Sequence, residues 1–265
     1  MAFWFGVLIW LLTLASVVVL IQGVGSAPEA ISEAGRSIDS QFMLTLVITG
    51  IVFVFAQVLL GYYIWKFRSG REGDVTYIHG NNKIEVGGMV IIGVVFVALA
   101  GLGQTAWAKL HVYPPEEEPM RIEVTGEQFA WNIRYPGPDG KFGERSHLLY
   151  DRERNPVGIV PEDPAGKDDF VLTGNLVVPK DRQIELVMGS KDVIHSFFMP
   201  ALRIKQDSVP GLQIPLRFKA EQAGEYEVLC AELCGLGHYN MKAILEVLEP
   251  ADYAAWFAER TAGNQ

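Results

Sequence analysis

Cysteine is nearly missing: the 265 residues hold two, Cys230 and Cys234, four positions apart. That excludes a disulfide-stapled scaffold and leaves one pair to explain, as a disulfide or as metal ligands. No Cys-x-x-Cys-His stretch occurs, so the chain carries no fused c-type cytochrome. Basic residues are outnumbered, 22 Lys and Arg against 31 Asp and Glu, for a net charge of −9. An acidic surface repels nucleic acid and favours a basic partner by electrostatic steering, though acidity also simply keeps proteins soluble. Internal repeats and low-complexity tracts are absent, which excludes a repeat architecture.

Charge is missing altogether from three stretches: Met1 to Pro28, Gln41 to Trp65 and Val86 to Ala108. Each can cross a hydrocarbon core of about 30 Å as a helix rising about 1.5 Å per residue. Nothing comparable follows Lys109, so the chain divides into a membrane part and a soluble remainder. That remainder carries 25 Asp and Glu against 17 Lys and Arg. Lys66, Arg68, Arg71 and Lys83 crowd the connector between the second and third runs. Such charge puts the connector in the cytoplasm and everything after Ala108 on the outer face. Tyr62, Tyr63, Trp65 and Trp107 suit the aromatic belts. The first run reads as a retained helix, since no Lys or Arg precedes it and it is long for a signal core. The small residues Gly25, Ser26 and Ala27 keep a cleaved signal segment open as the alternative. Glu85 opens the third run. Chemistry alone makes it a first-turn carboxylate favoured by the helix dipole, or else a proton-collecting group beside a partner's channel.

From Met120 the pattern changes to short β-rich runs. RIEVTGEQFAWNIRYP, NLVVPKDRQIELVMG, IPLRFKAEQAGEYEVLC and AILEVLEP are the clearest, punctuated by Pro and Gly. This predicts an all-β sandwich. Asp139 to Lys167 is long, polar and Gly/Pro-spotted, and predicts an excursion loop. Ala251 to Arg260 predicts a short terminal helix with an apolar stripe of Tyr253, Trp256 and Phe257.

Chemistry concentrates in two places. SKDVIHSFFMP puts His195 at the end of a strand run, and CAELCGLGHYNMK puts Cys230, Cys234, His238 and Met241 on one short loop between strands. Two thiolates, two imidazoles and a thioether suit copper, where hard cations want carboxylates. Zinc accepts Cys₂His₂ but has no use for the thioether. Taken singly, the cysteines are more often a disulfide or a zinc pair, His238 a surface histidine, His195 a core histidine and Met241 core filler. Together, in this order and spacing, they point to a metal. Two cysteines four apart can each bridge two metals, with one imidazole for each.

These stretches resemble cytochrome c oxidase subunit II, from Gln41 to the end. The transmembrane hairpin, VTGEQFAWNIRYPG, DVIHSFFMPALRIKQDSVPG and CAELCGLGHYNM carry the resemblance. It implies a membrane helical hairpin joined to an all-β cupredoxin-like sandwich, to which the first uncharged run adds an N-terminal helix. The layout would be a helix or signal segment over 1–28, the hairpin over 40–109, a periplasmic copper domain over 110–250, and a C-terminal helix and tail over 251–265. It further implies that Cys230 and Cys234 bridge a binuclear copper centre, CuA. His195 and Met241 would serve one copper, and His238 and the backbone carbonyl of Glu232 the other. The Glu232 side chain would reach a magnesium or manganese ion shared with subunit I.

Implied partners are oxidase subunits I and III, the bilayer, and cytochrome c or a tethered cytochrome c domain, with no nucleic acid. Electrons would pass to haem a in subunit I, where oxygen is reduced to water and protons are pumped across the bacterial inner membrane. Glu85 aligns with the glutamate at the start of the family's K proton pathway. Phe129 stands where the family often has the tryptophan that receives the electron, and Trp131 is a candidate substitute. The N-terminal run and the 139–167 loop are extra to the minimal pattern. A quinol oxidase subunit would lack the copper ligands, a copper chaperone would expose them, and nitrous-oxide reductase would need a large histidine-rich domain.

Overall fold

The computed structural model describes residues 2–24, 27–68, 79–112 and 117–262. Gly25 and Ser26, the small residues suited to cleavage, and Arg71 of the basic connector lie outside them. The chain forms two compact units, one of residues 1–28 and 38–106 and the other of 29–37 and 107–265.

The first unit is helical. α1 (Ala2–Val24), α2 (Glu33–Lys66) and α3 (Asn82–His111) are each long and apolar enough to cross a membrane. Small residues let α1 and α2 approach: Gly6 faces Gly61, whose missing side chain makes room for the Trp10 ring. The Trp10 indole donates to the Val58 carbonyl at 3.4 Å, and Gln41 donates to the Leu99 carbonyl of α3 at 3.1 Å. Thr13, Ser16, Thr45 and Thr49 donate to carbonyls one turn back, which leaves few polar groups to be solvated by lipid. Asn81 caps α3 by accepting from the Lys83 and Ile84 amides. Glu85 Oε1 in turn accepts from the Asn81 amide at 3.2 Å.

The second unit is the expected sandwich, two five-stranded sheets ordered β3-β2-β1-β5-β8 and β4-β10-β9-β6-β7. The strands are β1 (Met120–Glu127), β2 (Ala130–Tyr135), β3 (Phe170–Thr173), β4 (Asn175–Pro179) and β5 (Gln183–Ser190). Then come β6 (His195–Met199), β7 (Ile204–Ser208), β8 (Ile214–Lys219), β9 (Gly224–Cys230) and β10 (Lys242–Leu248). β1 runs parallel to β5 and β10 to β4, while the other pairs are antiparallel. Alternation sets the core: Ala243, Leu245 and Val247 of β10 face inward against Trp131, Leu186 and Phe197. Each such large apolar side chain contributes about 1.5–3 kcal/mol on burial.

Two of the predicted runs change sheets midway. β4 and β5 separate where Asp181 takes φ 60°, and β8 and β9 separate at Ala220. His195 opens β6 instead of ending a strand run. The turn before it ends β5: the Ser190 hydroxyl donates to the Val193 carbonyl at 2.5 Å and accepts from the Asp192 amide. β2 is buried on both faces because the long excursion covers its outer side. There the buried Arg134 donates to Asp169, Glu123 and the Gly143 carbonyl. α4 (Pro250–Ala262) lays Trp256 against Tyr135 and Phe170, as its apolar stripe predicts. The α1–α2 connector also belongs to this unit. Ile31 is buried in the sandwich core, its amide on the Ala201 carbonyl and its carbonyl on the Glu221 amide.

Candidate metal centre

At one end of the sandwich β6, β9 and β10 meet. Phe197 pairs with Cys230, the Ala231 amide donates to the Ser196 carbonyl, and the Cys230 amide donates to the Met241 carbonyl. These bonds clamp both feet of the 231–241 loop against the strand that begins with His195. Within the loop, tight turns (His238 amide to Gly235 carbonyl, Met241 amide to His238 carbonyl) fold the donors back on one another. Gly235 takes φ 137°, a conformation that strains any residue with a Cβ.

The outcome is a convergence of soft donors. One ligand atom each from His195, Cys230 and Cys234 lies within 4.8 Å of the others. The two cysteines are free thiols, their sulfurs 3.9 Å apart. Cys234 Sγ lies 3.7 Å from His238 Nδ1 and 3.8 Å from Met241 Sδ. Cys230 Sγ lies 3.3 Å from the Glu232 carbonyl oxygen. All six residues singled out in the two motifs therefore converge, with Glu232 offering its backbone inward and its side chain exposed.

His195 is fully buried, and its ring is committed on one side only. Nε2 meets Asp192 Oδ1 at 2.8 Å, while Nδ1 is buried with no hydrogen-bond partner among the described residues. A buried nitrogen left bare costs about 1–3 kcal/mol unless something accepts its lone pair. A carboxylate behind one imidazole nitrogen, leaving the other open to a metal, is how proteins hold a metal-ligating histidine. The residues present fit a soft metal.

Electrostatics agree. Burial pushes the Cys230 thiol up, but contacts with His195, with the backbone at Ser196 and Glu232, and with His238 prevail and lower it to about 6. Burial and the neighbouring Cys230 sulfur push Cys234 up to about 11. Burial disfavours charge on His195, yet the nearby Cys230 sulfur and Asp192 carboxylate leave its pKa raised. One thiol ionises readily and the second resists; a cation between them is what would release both protons.

Asp192 and Gln128 were not singled out by sequence. Asp192 also accepts from the Gln128 amide at 2.7 Å, and the Gln128 side chain donates to the Cys234 carbonyl at 2.5 Å. Asp192 stands three residues before His195, which is the signal that could have found it. Phe129 lies across Gly235 and Gly237, where a Cβ would run into its ring. Trp131 is wholly enclosed, edge-on to His195 at 5.7 Å and to Phe197 at 4.9 Å. Glu85 belongs to the other unit, in the cap of α3.

The family model for the periplasmic domain of cytochrome c oxidase subunit II matches residues 120–248. The alternative cytochrome c oxidase subunit 2 of Bradyrhizobium diazoefficiens is 33% identical over 224 residues, covering 84% of this chain and 80% of that one. Cytochrome c oxidase subunit 2 of Cereibacter sphaeroides is 29% identical over 252 residues, covering 91% and 82%. Among solved structures, the periplasmic domain of cytochrome oxidase subunit II of Bradyrhizobium japonicum is 28% identical with a TM-score of 0.41, covering 56% of this chain and 98% of that one. The family model and the 33% identical relative settle the family: the chain belongs to cytochrome c oxidase subunit II, part of an oxidoreductase complex.

Proposed function

We propose that this chain is the electron-accepting subunit of a proton-pumping oxidase and holds a binuclear copper centre. Cys230 and Cys234 would bridge the two metals. His195 and Met241 would complete one, and His238 with the Glu232 carbonyl the other. The carrying observation is the buried His195 Nδ1, without a hydrogen-bond partner among the described residues, in a ring grouped with two free thiols on a loop that also brings His238 and Met241 to them. When bound, such a centre supplies a one-electron carrier with soft, delocalised bonding.

The chain's own residues do the remaining work. Asp192 orients His195, and the clamp at Cys230 and Ala231 keeps the donors from spreading as charge changes. Apolar Phe197 and Trp131 exclude water behind the site. Phe129 is the contact residue for the donor, a cytochrome c or a tethered cytochrome c domain. The enclosed Trp131 can serve only from within, beside His195. The exposed Glu232 carboxylate would reach a magnesium or manganese ion shared with subunit I, and subunit III completes the core complex. Glu85 would collect protons on the cytoplasmic face. Residues 40–109 then anchor a periplasmic domain of 110–250 closed by 251–265, with 1–28 retained as a third helix. The sandwich's hold on the α1–α2 connector supports an outer location for that connector.

The copper-loaded chain, separated from the haem-bearing subunit, is expected to be purple. Its EPR spectrum should show one electron shared by two equivalent copper nuclei. A stoichiometric zinc ion, or a Cys230–Cys234 disulfide in the active complex, overturns the assignment.

A further inference from the structure

The 139–167 excursion does not trail into solvent. It returns to the metal end of the sandwich, where an exposed apolar tip is held in place. The Ser146 hydroxyl accepts from the Leu148 amide and caps a 3-10 turn over His147–Leu149. Ser146 and Gly158 bond across the loop at 2.8 Å, and the Glu144 carbonyl accepts from Val160 at 2.9 Å. Tyr150 packs on Gly158, where a Cβ would collide with its ring, and the Lys191 ammonium lies 5.0 Å from that ring's centroid. This ordering leaves Leu148 81% exposed, with Leu149 and Tyr150 exposed beside it. Fixing a loop so firmly around an exposed leucine has no folding benefit, and such patches mark contact sites.

The tip joins the metal site by continuous contacts. Arg152, two residues beyond Tyr150, donates to the Gln128 carbonyl at 3.2 Å. Gln128 in turn donates to the Cys234 carbonyl, and its neighbour Phe129 covers Gly235 and Gly237. Lys191 under Tyr150 pairs with Glu127 at 2.5 Å, one residue before Gln128.

We propose that Leu148, Leu149 and Tyr150 form an apolar ledge on which the electron-donating c-type cytochrome docks, beside Phe129. This rests on the electron-accepting function proposed above. Redox encounters bury up to about 1,200 Å² in total, or a disc of roughly 14 Å radius on each partner. A protein centred over Phe129 therefore covers the contacts that lead to the ledge. The charges of 151–154 alternate, Asp151 and Glu153 against Arg152 and Arg154, and cancel. The ledge thus offers apolar contact, fitted to the uncharged rim around an exposed haem edge, while the acidic sandwich supplies long-range steering.

The test uses the intact oxidase with two reductants, reduced soluble cytochrome c and a small phenylenediamine dye kept reduced by ascorbate. Leu148→Asp should raise KM for cytochrome c about tenfold, and Leu148→Ala by less. Both should keep kcat, the copper EPR signal and the oxidation of the dye. The KM increase should persist from low to high salt, as an apolar contact requires. An unchanged KM in both variants overturns the ledge, as does a KM effect that high salt abolishes. Loss of subunit I haem from the Leu148→Asp complex overturns it too, by showing that a neighbouring subunit covers the tip. Wild-type oxidase that consumes the dye but never cytochrome c overturns the donor assignment and the ledge together. A wild type that oxidises cytochrome c normally confines any failure to the ledge.

Discussion

Two loops of the sandwich are held in opposite ways. The 139–167 excursion is tied down by charge: the buried Arg134 at its base meets Asp169, Glu123 and the Gly143 carbonyl, and its arms exchange backbone bonds. The 231–241 loop is clamped at its feet, but its centre is two thiols, an imidazole and a thioether turned toward one another. Those groups attract each other weakly, and two of them repel once ionised. One loop is ordered by pairing opposite charges. The other gathers like-minded donors and needs a cation to hold them. Removing one partner should therefore cost stability in the first loop and function in the second.

The largest effect expected is from Cys230→Ser. It removes one of the two thiols proposed to bridge the coppers, so the shared-electron EPR signal should vanish and reduction by cytochrome c should fall to background. The melting temperature of the copper-free protein should move little, because Cys230 is not a large core side chain. A variant that keeps the signal would remove Cys230 from the metal set.

Arg134→Ala inverts that outcome. It leaves Asp169 buried without its partner and should destabilise the sandwich by about 3–5 kcal/mol, read as a lower melting temperature. Copper content and spectrum below the transition should be normal. Replacing both partners, Arg134→Met with Asp169→Leu, should recover most of the loss, since an apolar pair of similar volume tolerates burial. A double variant as unstable as the single one would show that the Gly143 carbonyl and Gly143 amide, which also bond this pair, dominate the anchor.

Gly237→Ala probes the seam between the ligand loop and Phe129. Its added methyl meets the ring at a backbone-fixed position, and overpacking of this kind costs about 1–3 kcal/mol. Copper should still bind, with a broadened spectrum as the loop shifts. An unperturbed spectrum would mean that the ring swings away freely.

The convergence on the 231–241 loop was legible in the sequence because its Cys, His and Met are rare residue types packed into one short stretch. His195 lies about 35 residues away, and only the pairing of β6 with β9 brings it in. The three long apolar helices were legible as uncharged runs, since a bilayer selects for what composition records: apolar side chains throughout. Strand membership was less so. The β4–β5 and β8–β9 runs read as continuous because alternation says nothing about which sheet each half joins. Asp192 and Gln128 escaped notice because their roles depend on hydrogen bonds to other site residues, and neither type is rare. Ile31 was hidden for a similar reason: an isolated apolar residue in a connector gives no sign that it plugs a distant core.

The smallest effect expected is from Met241→Leu, and it tests the weakest member of the ligand set. Met241 is buried and its sulfur touches Cys234, so its position resembles core packing as much as coordination. Leucine nearly conserves its volume, and such swaps usually cost less than about 1.5 kcal/mol. If Met241 only fills space, the variant should melt slightly earlier with an unchanged spectrum and reduction potential. If the thioether is a weak axial donor, the two-copper signal should survive because the thiolate bridge remains. The reduction potential should then rise, or the hyperfine pattern should lose its symmetry, because one copper has lost electron density that its neighbour keeps. The asymmetry is the sharper readout, since a change in packing alone would not single out the copper served by His195.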